Sequence, residues 1–133
     1  MASERRPEAR THLSSHPTSA AAARRFVRDV LVRWRGGGPE EEAILLCTDE
    51  LVTNAIIHVA SDIEVVVRRE HGAVRVEVHD GSARPPLRRL PPPDAESGRG
   101  LQLVETLATR WGVSPLDSGK AVWFEMQDHE VAS

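Results

Sequence analysis

From Thr18 to Trp34 apolar residues recur at three- and four-residue steps. Ala22, Phe26 and Val30, flanked by Val27, Leu31 and Trp34, stand apart from Arg24, Arg25, Arg28 and Asp29. That period predicts an amphipathic helix, and Gly36-Gly37-Gly38 ends it. Pro39 with Glu40, Glu41 and Glu42 reads as the first turn of a second helix, where acidic side chains meet the positive end of the dipole. This helix is predicted to run to about Val59, with Ile44, Leu45, Thr48, Val52, Ala55, Ile56 and Val59 on its core face.

The period then shortens to two. Ile63–Arg69 and Ala73–Asp80 predict two strands joined at His71-Gly72, and Val74, Val76 and Val78 alternate with Arg75, Glu77 and His79. Residues 81–99 carry Pro85, Pro86, Pro91, Pro92 and Pro93, too many for a helix or a central strand. A third helix is predicted from Gly100, with Leu101, Val104, Leu107 and Ala108 on one side. Trp111–Leu116 and Lys120–Met126 predict two closing strands around Asp117-Ser118-Gly119. Thr11–Leu13 adds a short edge strand, whereas residues 1–9 are polar, aperiodic and expected to be disordered. This grouping predicts an α+β fold. It is a two-layer α/β sandwich whose mixed, mostly antiparallel sheet carries a helical layer on one face. Residues 10–128 form the single expected domain, with 129–133 as a tail.

Composition narrows the function classes. The chain has 133 residues, 40% of them hydrophobic, enough for a core without disulfide or structural metal. Seventeen basic against twenty acidic residues give a net charge of −3, which argues against nucleic acid or an anionic membrane as the main partner. The one cysteine, Cys47, excludes an intrachain disulfide and a zinc ribbon. The N-terminal residues lack the apolar core of a signal peptide, and no segment is long and apolar enough to span a bilayer, so a cytoplasmic location is expected. Lys120 is the only lysine among the seventeen basic residues, a bias that an arginine-favouring genome explains.

Three features break simple core-and-surface accounting. Glu50, Asn54 and His58 follow at four-residue intervals and form one polar stripe on the second helix, among Leu51, Val52, Ala55, Ile56 and Ile57. The stripe is either a solvated helix face or a pair of oxygen donors for a divalent cation or a water, and Mg²⁺ prefers such donors. Asp80 shares the parity of Val74, Val76 and Val78, so a carboxylate points at the buried side. Such burial needs hydrogen-bond donors, supplied either by the following Gly81-Ser82 turn or by the amino group of a ligand that Gly81 lets approach. Ser97-Gly98-Arg99-Gly100-Leu101 places glycines at the mouth of a helix. It is either a tight loop-to-helix turn or a cradle of backbone N–H groups for phosphate, with Arg99 adding charge. Gly119-Lys120 reads as a hairpin turn.

Their order along the chain carries more than any one of them. A helix with Glu50-x-x-x-Asn54-Ala55-x-x-His58, a strand ending in Asp80-Gly81, then Gly98-x-Gly100-Leu101 opening a helix, resembles the GHKL (Bergerat-fold) ATP-binding domains. Within them it looks most like the stand-alone bacterial anti-sigma-factor serine kinases of the HATPase_c_2 type. The resemblance runs from about Ala20 to Met126. It implies ATP and Mg²⁺ as cofactors, with Asn54 holding the metal, Glu50 acting as general base on a partner's serine or on water, and Asp80 accepting the adenine amino group. Gly81, Gly98, Arg99, Gly100 and Leu101 would line the nucleotide, and residues 81–99 would be the ATP lid. It further implies a STAS-domain anti-anti-sigma protein or a sigma factor as partner, and allows a homodimer. Two positions depart from the family pattern. The run Asp80-Gly81-Ser82-Ala83-Arg84 lacks a glycine two residues after the aspartate, and Ala121 stands where relatives often have a threonine whose hydroxyl helps hold adenine. Those departures favour an alternative, a non-catalytic nucleotide-gated regulator of the same fold. More distant is a plain α+β interaction domain in which these residues are only turns.

Overall fold

A computed structural model describes residues 7–35, 38, 40–58, 61–70, 72–81 and 100–127. In chain order the elements are β1 (Glu8–Leu13), α1 (Ser19–Arg35), α2 (Glu41–His58), β2 (Ile63–Glu70), β3 (Ala73–Asp80), α3 (Gly100–Leu107), β4 (Arg110–Leu116) and β5 (Gly119–Gln127). The sheet order is β1-β2-β3-β5-β4, and every pairing is antiparallel. The fold is thus the expected α+β sandwich, its sheet wholly antiparallel among the described residues. The expected disorder of residues 1–9 is corrected at its end. Glu8 and Ala9 belong to β1, in register with Arg68 and Val67, and Glu8 is held by Arg68 Nε at 2.9 Å. A partner strand 60 residues away ordered a segment that has no period of its own.

The three helices cover one face of the sheet. α2 lies between α1 and α3 and also touches β3 and β5. Ala23, Val27, Val30 and Leu31 of α1 and Ile44, Leu45, Thr48, Val52 and Ala55 of α2 are buried, as their periodicity required. Cys47 and Leu51 are buried too, because α2 is packed on more than one side. Burial pushes the Cys47 thiol up to about 12, with the charge of Glu50 adding to it, so this cysteine is an inert core side chain. From the sheet, Val74, Val76 and Val78 meet Val122, Phe124 and Met126 in the same core.

The opposite face of the sheet is polar and tightly paired. Glu77 receives Arg68 Nη1 at 2.6 Å and Arg75 Nε at 2.7 Å, and its other oxygen lies 2.8 Å from His79 Nε2. Arg75 also reaches Glu125 at 2.8 Å, and its guanidinium stacks 3.9 Å from the centre of the Trp123 ring. That ring needs Gly112 beneath it, since a Cβ there would stand 2.7 Å from the indole.

Candidate functional site

The site begins at the end of β3. Alternation along that strand turns Asp80 to the helix-covered side, and the carboxylate is buried at 6% exposure, as its parity predicted. Directly opposite on β5 is Lys120, also 6% exposed, whose Nζ donates to Asp80 Oδ1 at 3.1 Å. Reading Gly119-Lys120 as a bare hairpin turn missed this. The pairing of positions 80 and 120 exists only once β3 and β5 are in register, and the one available signal was the solitary lysine. A buried ion pair gains little net stability, because desolvation offsets the Coulomb attraction. Stability alone therefore does not explain why this pair sits at the end of the sheet.

Gly119 locks the pair in place. Its φ is +138°, and a Cβ there would lie 1.9 Å from the carbonyl oxygen of Asp80 and 2.8 Å from Gly81 Cα. The backbones of β3 and β5 are thus pressed together immediately beside the two charges. Gly81 differs, since its own surroundings leave a Cβ at ordinary contact, 3.5 Å from Ser61 Oγ. Among the described residues, nothing packed against Gly81 requires a glycine there.

Beside the pair opens a groove of about 460 Å³. Val113, Pro115 and Leu116 of β4 give it apolar walls, and Gly81, Asp117, Ser118, Gly119 and Lys120 complete it. Of the ion pair, Lys120 is the member that lines the groove. The Gly81 N–H donates to Ser61 Oγ at 3.4 Å, Ser61 follows the last residue of α2 by three positions, and α2 also packs on β3. Asn54 lies near the C-terminal end of α2, with Glu50 one turn earlier on the same stripe, and both are half-buried. Gly100 and Leu101 open α3, and Leu101 is buried in the core at 2% exposure, so its side chain supports the helix from inside. Gly98 and Arg99, with the rest of the expected lid from Ser82 onward, lie outside the described residues, as does the side chain of His58.

One departure from the family pattern is reassigned by the structure. Position 121 faces away from the site, because alternation along β5 sends Lys120, Val122 and Phe124 to the helix side and Ala121 to the other, where it registers with His79. Ala121 therefore removes nothing from the neighbourhood of Asp80. The side chain that does face it is Lys120.

The sequence profile of the histidine kinase-like ATPase domain matches residues 13–126. The chain belongs to that family. No curated protein matches it, whereas thirteen chains of solved structures do. Among these is the crystal structure of the RsbU and RsbW domains of Rv1364c from Mycobacterium tuberculosis, similar to this chain with a TM-score of 0.68 at 19% identity. The similarity covers 91% of this chain and spans 32% of that one, and at this identity it establishes the shared fold. Family membership implies nucleotide binding, usually with Mg²⁺. No group of three or more His, Cys, Asp or Glu side chains among the described residues is arranged to hold a metal. A cation held by phosphates and one amide, such as Asn54, needs no such group. None of the described helices is long and apolar enough to cross a membrane.

Proposed function

We propose that this histidine kinase-like ATPase domain binds ATP with Mg²⁺ and acts as a protein serine kinase of the anti-sigma type, in the cytoplasm. Its partners are a STAS-domain protein and a sigma factor. The observation that carries the nucleotide site is Asp80, a carboxylate buried at the end of β3 beside an open groove. Asp80 accepts the exocyclic amino group of the base, and the backbone at Gly81 lies against it. Asn54 supplies the amide oxygen for the cation, and Gly98, Arg99 and Gly100 line the phosphates at the start of α3, with Leu101 anchoring that helix. Glu50 holds the serine hydroxyl of the partner and takes its proton as the γ-phosphoryl group transfers. Mg²⁺, when bound, neutralises charge building on the phosphate oxygens.

The second reading, a nucleotide-gated regulator without phosphotransfer, draws support from the Asp80–Lys120 pair, in which the carboxylate already has a donor from the chain, and from the second box that lacks a glycine at position 82. Calorimetric titration of ATP with and without Mg²⁺, on wild type and Asp80→Asn, tests the site common to both readings. Loss of a hydrogen bond to a charged acceptor weakens binding about ten- to a hundred-fold. Equal affinity in the two proteins would remove Asp80 from the site. Glu50→Ala then separates the readings. Phosphate transfer to a STAS-domain serine should vanish while nucleotide affinity stays within a few-fold, and no transfer by wild type would leave the regulator.

A further inference from the structure

We propose that Lys120 reads the base: it donates a hydrogen bond to the ring acceptor that neighbours the amino group taken by Asp80. The inference rests on the nucleotide site proposed above and assigns it a specificity residue on β5. Three observations carry it. Lys120 and Asp80 are register partners on the same face, with Nζ 3.1 Å from Oδ1, so a flat ligand edge that meets the carboxylate also meets the ammonium. Lys120 lines the groove, so a ring seated there has its ammonium within reach. Gly119 holds the β5 backbone against Asp80-Gly81 with no room for even a methyl group, so the lysine stem starts from a fixed point.

Chemistry then selects the ligand class. A carboxylate accepts and an ammonium only donates. Side by side, they complement a ring that presents an N–H donor next to a lone-pair acceptor. The Watson–Crick edge of adenine does so, with its 6-amino group beside N1. The Asp80 carboxylate keeps its counter-ion while the base joins the pair, so no charge is left buried and alone on binding.

The probe is 1-deaza-ATP, in which a C–H replaces N1 and the amino group is kept. Wild type should bind ATP about ten-fold or more tightly than 1-deaza-ATP, the ratio expected for one hydrogen bond from a charged donor. In Lys120→Met that ratio should fall to about one. Equal ratios in the two proteins would overturn the proposal while leaving the nucleotide site intact. No binding of either nucleotide by wild type at millimolar concentration would overturn the site and the proposal together.

A second readout needs no variant, in case Lys120→Met fails to fold. Lys120 is the only lysine, so 13Cε-lysine labelling of wild type yields a single side-chain NMR signal. ATP should shift that signal well beyond the shift given by 1-deaza-ATP. The same shift with both would mean that the lysine merely balances the charge of Asp80.

Discussion

Two carboxylates on β3, three residues apart, are buried almost equally, Glu77 at 5% and Asp80 at 6% exposure, yet they face opposite sides of the sheet. Glu77 is enclosed by Arg68, Arg75 and His79, cross-linked through Arg75 to Glu125, with an indole ring beneath. Asp80 pairs with Lys120, which lines a groove. The first arrangement is a closed lattice whose partners all come from the sheet itself. The second adjoins a groove that Lys120 lines, which gives a ligand a place to approach. Burial of a charge is therefore a poor guide to function by itself. The useful distinction is whether its partners seal it in or leave an approach.

The largest expected effect is on the closed side. Glu77→Ala removes the carboxylate shared by Arg68, Arg75 and His79; because Arg68 keeps Glu8 and Arg75 keeps Glu125, the loss should be about 3 kcal/mol, the lower end for a broken buried pair. Urea denaturation should show that loss, with nucleotide affinity of the remaining folded protein unchanged. A loss below about 1 kcal/mol would erase the contrast between the two carboxylates.

Gly119→Ala should cost less, about 1–3 kcal/mol, because the added methyl pushes β5 off the Asp80 carbonyl and strains a backbone that has φ of +138°. Its signature differs from that of Glu77→Ala, since nucleotide affinity should fall along with thermal stability. Unchanged affinity would show that Asp80 and Lys120 do not depend on this close approach.

The smallest effect is graded and comes with acid. Burial works to raise the pKa of Glu77. The hydrogen bonds from His79 and Arg75 and the charges of Arg68 and Arg75 outweigh it, leaving the carboxyl below its ordinary 4.5. Glu125 is likewise lowered, with burial opposed by Arg110 and Arg75. For a depressed carboxylate the stabilisation is complete above the unfolded pKa and lost as pH falls through the folded one. Melting temperatures should therefore hold down to about pH 4.5 and decline below it, and Glu125→Gln should soften that decline. A decline already complete at pH 5 would point to other groups.

Much of this was readable in the residues. The helix and strand periods located all three helices and the four strands from β2 to β5, and parity alone turned Asp80 inward. The remainder required register. Nothing local to Lys120 says that it faces Asp80, because the two are brought opposite each other by the pairing of strands from different hairpins. Register also corrected the weight placed on Ala121, which belongs to the other face. For β1, the charged residues Glu8 and Arg10 resemble a solvated tail until Arg68 and Glu64 of β2 are set beside them.

The strand order also determines where the sheet stops. Among the described residues β1 and β4 are its two borders, and a border left unpaired is a template on which further strands can add and aggregates can grow. The β4 border contains Pro115, which has no N–H to offer a newcomer. Along β1 the side chains of Glu8, Arg10 and His12 alternate outward, so an added strand would have to accommodate charge at every second position. Composition at the rims, rather than closure into a barrel, is what guards this sheet against uncontrolled growth.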